Sequence, residues 1–295
     1  MDASNIAVAV PKLSNSSLTD AIARARAIGF SAITFGGNPT ADTSSLSFSW
    51  DDLDEEGRAK MLAVRDEFDR AVIHAPFVDV PMVSVNPYIE RESLRQLLGA
   101  VRAAGTLRLE AVTVHAGLRH DSIPEDEFMR RLVTVLRTLG DAAAEHGTQI
   151  GVENWRYPAD PDQHVALLEA VDHPAVGATV DLGHIAYWYK RDGINSLAGA
   201  KAAAEYNARL LSLIERLGER IVHVHAHDVR PSDLDDHRTV GSGIVDFDAV
   251  IDRLDHIGFD GLLLLEVKAD SSDYESAVSR SRDRLVQAMS SVAVV

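Results

Sequence analysis

Short, nearly apolar runs recur along the chain at even intervals. They are NIAVAV (5–10), AITFGG (32–37), AVIHAP (71–76), AVTVHAG (111–117), QIGVEN (149–154), GATVDLG (177–183), IVHVHAHD (221–228) and GLLLLEV (261–267). Each has the length and the Val/Ile/Leu content of a strand buried on both faces. Between them the apolar period lengthens. LTDAIARARAIGF places Leu18, Ile22, Ala25 and Ile28 on one stripe behind an Asn/Ser-rich cap region. RESLRQLLGAVRAAGTL and DEFMRRLVTVLRTLGDAAAEHG repeat this spacing and stop near a glycine. Alternation of strand and helix predicts an α/β fold with a parallel sheet. Eight repeats in 295 residues predict a single (β/α)8 TIM barrel across 1–295. A doubly wound open sheet competes, but AVAVPKLSNSS after the first strand carries no GxGxxG or Walker pattern. The long connection after the sixth strand predicts an extra helical segment at about 186–215 over the C-terminal face.

Composition narrows the chemistry. With 46% hydrophobic and 25% charged residues the chain is ordinary globular material. No apolar run reaches the length of a membrane span. The start, MDASNIAVAVPKLSNSS, lacks the basic and apolar regions of a signal peptide, so a cytoplasmic protein without membrane contact is expected. The chain has no cysteine, which excludes disulfides, thiol catalysis and Cys-held zinc. Any metal must be held by His, Asp and Glu, which suits Mn, Mg, Co, Zn or Fe. The net charge of −16 argues against a nucleic-acid partner. The oligomeric state, monomer or homo-oligomer, stays open.

The strands break their apolar rule at their C-terminal ends. There stand His74, His115, Glu153, Asp181 with His184 just beyond, His225 with His227 and Asp228, and Glu266. A TIM barrel builds its site at this face. A lone buried histidine is more often a satisfied core residue, and a lone strand-end carboxylate a cap or ion-pair partner. Together they are different. Buried carboxylates without Lys or Arg among them repel, and persist only if paired or bound to metal. If Glu153 points inward, side-chain alternation turns His74, His115, Asp181, His225 and Glu266 inward as well. Gly151, Thr179, His223 and Leu264 then lie one layer down, with Thr113 beneath His115 and Val72 beneath His74. His223 is therefore expected to be structural. His227 and Asp228 are expected at the rim, supporting the ligands or facing substrate. Trp155, Tyr157, Tyr187, Trp188 and Tyr189 are expected near the mouth, either stacking on or covering part of a ligand or packing under the extra helices.

The motifs VIHAPF, VTVHAG, GVENW, VDLGHI, HAHD, DDHRTVGSGIVDF and LLLLEV, in this order, resemble the xylose isomerase-like TIM barrel superfamily. It includes sugar-phosphate isomerases and epimerases, ketose 3-epimerases, inosose-processing enzymes and endonuclease IV (AP endonuclease family 2). The resemblance covers nearly the whole chain. It implies a carbohydrate substrate and one divalent ion held by Glu153, Asp181, His225 and Glu266. It implies that Glu153 and Glu266 exchange protons with the substrate, through a metal-stabilised enediolate. It implies substrate contacts from His74, His115, His184, Arg230, His237, Arg238 and Trp155, with Arg230 one residue off the epimerase spacing. Endonuclease IV binds three zinc ions, and its extra ligand positions match His74, His115, His184, Asp235 and His237. Three activities follow from the resemblance: isomerase or epimerase, a lyase or dehydratase using the same enolisation on a keto-sugar, keto-inositol or keto-glycoside, and a phosphodiesterase.

Overall fold

The computed structural model describes residues 1–13, 17–38, 46–268 and 273–292. Eight parallel strands close into a barrel: β1 (Ile6–Val8), β2 (Ala32–Gly36), β3 (Arg70–His74), β4 (Ala111–Val114), β5 (Gln149–Glu153), β6 (Val176–Asp181), β7 (Ile221–Ala226) and β10 (Leu262–Leu265). β10 hydrogen-bonds to β1 and completes the ring. Between β7 and β10 lies an antiparallel hairpin, β8 (Asp228–Arg230) and β9 (Asp235–Arg238), which the apolar pattern does not announce. The strands are shorter than the apolar runs, so His115 and Glu266 stand one residue past theirs.

The helices begin and end where local chemistry dictates. α1 (Leu18–Ile28) starts at Ser17, whose side chain accepts the Asp20 N–H, and stops at Gly29 with φ 98°. Residues 14–16 of the expected cap region lie outside the described residues. α2 (Glu55–Arg65) is capped by Asp54 and α3 (Pro87–Leu107) by Asn86, followed by proline at its first position. α4 (Glu125–His146) carries three acidic residues in its first turn and ends at Gly147. α5 (Pro161–Val171) is capped by Asp160. The stretch expected as one extra segment is two helices, α6 (Ile185–Arg191) and α7 (Ala200–Leu217). The break between them contains Gly193 and Gly199, both with positive φ. Only α6 is an addition. α7 packs against α5 and against α8 (Phe247–His256), as a member of the outer ring. α9 (Tyr274–Val292) follows β10. No helix among the described residues is long and apolar enough to cross a membrane.

Strand side chains divide between two cores. Ala7, Ala32, Val72, Ala111, Leu262 and Leu264 form the filling of the barrel itself. Their neighbours Ile6, Ile33, Ala71, Ile73, Val112 and Leu263 join the larger core beneath the helices. Register pairs Thr113 with Gly151, Thr179 with His223, and Asp181 with His225. The inward layers are those expected from alternation. Thr113 and Thr179 hydrogen-bond across β5 at 3.0 Å, directly over Gly151. A Cβ at 151 would sit 2.1 Å from Thr179 Oγ1. The missing side chain lets a polar tie span two strands just below Glu153. His223 is buried, its ring nitrogens have no hydrogen-bond partner, and burial pushes its imidazole down to about 3.

Two stability predictions follow. Gly151→Ala forces this tie apart and is expected to cost about 1–3 kcal/mol in urea unfolding, as overpacking does. His164, on α5, is fully buried with both ring nitrogens unpartnered, and burial pushes it down to about 4. Its neutral form is the one the fold accepts, so the unfolded state takes up a proton first as pH falls from about 6.5. Stability therefore drops from about pH 6.5 toward pH 4. His164→Met is expected to flatten that decline, seen as a smaller loss of urea midpoint between pH 7 and pH 5 than in the parent protein.

Candidate metal centre and active site

β5 delivers Glu153 to the C-terminal face with 1% exposure. Its Oε1 lies 2.9 Å from His184 Nδ1. Its Oε2 lies 2.9 Å from His115 Nε2 and 3.3 Å from His74 Nε2. His74 Nδ1 is 2.8 Å from the Ala75 carbonyl, which can only accept, so the ring donates there. In a neutral ring Nε2 then carries a lone pair aimed at a carboxylate oxygen. Two electron-rich atoms facing each other this closely need a cation between them or a proton on the ring.

His225 is the hub of the second arrangement. Its Nδ1 stands 3.6 Å from Glu153 Oε1, 3.6 Å from Asp181 Oδ2 and 3.5 Å from Glu266 Oε2. Neither of its ring nitrogens makes a hydrogen bond. Ligands held about 2.1 Å from one ion sit about 3.0–3.4 Å from each other, so this spacing is close to that of a ligand shell. Glu153, Asp181 and His225 each offer an atom within 4.8 Å of the others, and so do His74, His115 and Glu153. Among the described residues, the ion-pair partners of Glu153, Asp181 and Glu266 are all histidines. Burial opposes the ionised Glu153, but His115 and His225 outweigh it and hold its carboxyl well below the usual range. Burial likewise opposes ionised Asp181, and His184 and His227 outweigh it. Burial depresses His225, yet Glu266 and Glu153 bring it well above an ordinary imidazole. The set wants positive charge at its centre. Carboxylate oxygens and imidazole nitrogens, without thiolate, fit a divalent cation.

Backbone chemistry aims these groups. Asn154, fully buried, gives its amide N–H to the Asp181 carbonyl at 2.9 Å and takes the Asp181 N–H at 2.8 Å. It extends the β5–β6 ladder by a side chain and sets the height of Asp181 beside Glu153. Asp181 Oδ1 accepts the N–H groups of Gly183 and His184 in the turn that follows. Tyr206 reaches in from α7 and donates its hydroxyl to the Leu182 carbonyl at 2.8 Å.

His184, His227 and His237 form a third cluster. Here hydrogen bonds fill both nitrogens of His227. His227 Nδ1 accepts the His237 backbone N–H at 2.9 Å, which leaves the proton on Nε2 to donate to Asp181 at 2.9 Å. A Cβ at Gly183 would lie 2.0 Å from the His227 ring, so that glycine makes room for it. His237 stacks on His227 at 4.1 Å. Its Nδ1 is 2.9 Å from Asp236 and its Nε2 3.5 Å from Glu266. Burial opposes its charge, but Asp236 and Glu266 bring it to about 9.

The structure does not gather every expected residue. Asp235, expected as a further ligand, turns its carboxylate to Arg230 at 3.1 Å and Arg238 at 3.2 Å. Asp236 takes the place beside His237. Arg230, expected to touch substrate, is exposed at the hairpin and bound to Asp233. Arg238 opens onto a separate cavity of about 630 Å³ together with Lys268 and Arg280. Asp228, expected at the rim, is wholly buried, and its carboxylate accepts from Val229, Gly243 and Val245. It clamps the 241–245 loop. Trp155 stacks on His115 at 4.8 Å, and Tyr187 meets His184 edge-on at 5.0 Å. Trp188 and Tyr189 are buried, and Tyr157 packs on Phe128. Consecutive helical residues point about 100° apart, so the YWY run cannot share one face. Phe77, absent from the expected set, stands 4.9 Å from both His74 and His115.

A family model described as xylose isomerase-like TIM barrel matches residues 22–288. An uncharacterized protein of Methanocaldococcus jannaschii is 28% identical over 220 residues, 70% of this chain and 68% of that one. An inosose dehydratase of Klebsiella pneumoniae subsp. pneumoniae is 28% identical over 177 residues, 52% of this chain and 53% of the relative. The match thus spans about half the length of that dehydratase. A solved D-tagatose 3-epimerase-like protein superposes with a TM-score of 0.74 at 24% identity, over 100% of this chain and 99% of that one. At that identity the likeness is one of fold. With nine-tenths of its length matched by the family model, the chain belongs to the xylose isomerase-like TIM barrel family.

Proposed function

We propose that this protein is a divalent-metal-dependent isomerase or epimerase of sugars or sugar phosphates. The observation that carries this reading is the convergence of Glu153 and Glu266, from β5 and the end of β10, on the same His225 nitrogen at 3.6 and 3.5 Å. Glu153, Asp181, His225 and Glu266 would hold the ion. When bound there, a divalent ion supplies Lewis-acid polarisation of a carbonyl and its neighbouring hydroxyl. The two glutamates, approaching from separate strands, suit removal of a proton from the carbon between those groups and its return. His115 and His184 hold the Glu153 carboxylate in place, one on each oxygen. Arg230 is bound in its own hairpin, so substrate contact falls to His74, His115, His184, His237 and Trp155. The hydrogen bonds that fill His227 and turn Asp235 away favour a single ion at the four-residue set over a trinuclear, endonuclease-like centre.

A second reading is supported by the similarity to an inosose dehydratase. The same proton removal followed by loss of a β-hydroxyl would make the protein a lyase. Both readings share the first step.

That step is the test. The manganese-loaded protein, offered a panel of free ketoses, keto-inositols and ketose phosphates in D₂O, is expected to place deuterium at the carbon next to the carbonyl. Glu266→Gln is expected to lower the exchange about 10²–10⁴-fold. Binding without label in any product would sink proton-transfer chemistry. Rearranged sugar in the product supports the epimerase, and an unsaturated ketone with released water supports the lyase. Metal content separates the histidines. His225→Ala is expected to lose the ion while staying folded in its presence or absence, and His223→Ala to retain the ion with a lower melting temperature. One ion per chain is the expected stoichiometry, and three would restore the endonuclease-like reading.

A further inference from the structure

We propose that the mouth of the barrel holds a subsite for an uncharged, apolar part of the substrate, with Phe77 as its specificity-determining residue. The inference rests on the sugar-enzyme reading and specifies which sugars fit. A cavity of about 390 Å³ opens between the ends of β1, β2 and β3, walled by Ala9, Phe35, Leu46 and Phe77, with His74 and Glu266 on the same surface. It therefore adjoins the proposed chemistry directly. No Lys or Arg lines it among the described residues.

Charge decides what such a cavity accepts. Glu266 faces it, and no lysine or arginine stands beside that carboxylate among the described lining residues. A phosphate dianion placed there would be desolvated beside a carboxylate with no lysine or arginine among the described lining residues, which is unfavourable. An apolar group gains by the burial of both surfaces. Phe77 is built to make that contact. Its backbone N–H donates to Asn38 Oδ1 at 3.1 Å, which fixes the loop. Its ring leans on His74 and His115 and is still 42% exposed. Val78, next to Phe77 in the chain, and Leu118, three residues past His115, are also left open, at 62% and 50% exposure. Large apolar side chains left open beside a polar centre mark a binding surface. Trp155 lies against His115 and Tyr187 against His184, so aromatic faces also border the polar centre.

Calorimetric titration of the manganese-loaded protein with three probes tests this. They are methyl β-D-glucopyranoside, phenyl β-D-glucopyranoside and glucose 6-phosphate. The phenyl glycoside is expected to bind about tenfold more tightly than the methyl one, and the phosphate more weakly than either. Phe77→Ala is expected to erase the phenyl advantage. Phe77→Lys is expected to weaken the phenyl glycoside and strengthen the phosphate. Because Phe77 is partly exposed, both variants should melt near the parent temperature. Equal affinities, including no detectable binding of any probe, overturn the subsite. So does tightest binding by glucose 6-phosphate; if Arg280→Ala then abolishes it, the substrate's far end belongs in the cationic cavity of Arg238, Lys268 and Arg280. Deuterium exchange reads the parent proposal separately. Phenyl selectivity without exchange keeps the subsite and removes the epimerase, while exchange without selectivity does the reverse.

Discussion

Three buried or half-buried carboxylates converge on one imidazole, and the structure offers them no lysine or arginine. Everything around the mouth of the barrel answers that constraint. Carboxylates so placed repel one another and lose their hydration, and the surrounding histidines offset that cost. Neither ring nitrogen of His225 makes a hydrogen bond, so the donor set stays open to a divalent cation.

The barrel exists to hold that cluster at one height. Closure of eight short strands fixes which residues share a layer, and the pairing of Asp181 with His225 follows from register alone. Three small devices refine it. Gly151 removes a side chain so that Thr113 and Thr179 can join below Glu153. Asn154 adds one where the β5–β6 ladder would otherwise end. Gly183 yields space to the His227 ring.

Much of this was legible in the sequence. Eight apolar runs separated by helical stripes report a parallel barrel because each periodicity has a distinct geometric cause. The face of the candidate site was legible because polar residues at strand ends contradict the burial of their neighbours, while the choice of four candidate ligands among them came from the family resemblance. What escaped has equally physical reasons. The β8–β9 hairpin is made of charged residues whose pairing depends on tertiary position. Asp228 looks like a rim residue by spacing, yet it is consumed by the N–H of its neighbour Val229 and by two backbone donors, Gly243 and Val245, of a loop more than ten residues away. Asp235 and Asp236 are adjacent and chemically alike, and only the side chain's direction separates an ion-pair acceptor from a partner of His237. The YWY run advertises a pocket, but helical rotation buries two of its rings. Phe77 gave no signal, since one aromatic residue after HAP has no periodicity to stand out from.

Tyr206 gives the centre an outward connection. It belongs to a ring helix, is itself fully buried, and holds the carbonyl of Leu182 immediately after Asp181. The turn that carries Asp181 and His184 is thus suspended from the outside of the barrel as well as from its strand. Displacement of α7 would pull on this turn through a single hydroxyl. Neutral-looking changes in the packing of α5, α7 and α8 can therefore drift into catalysis, and compensating changes between that outer layer and the 182–184 turn are where this chain's history should be written.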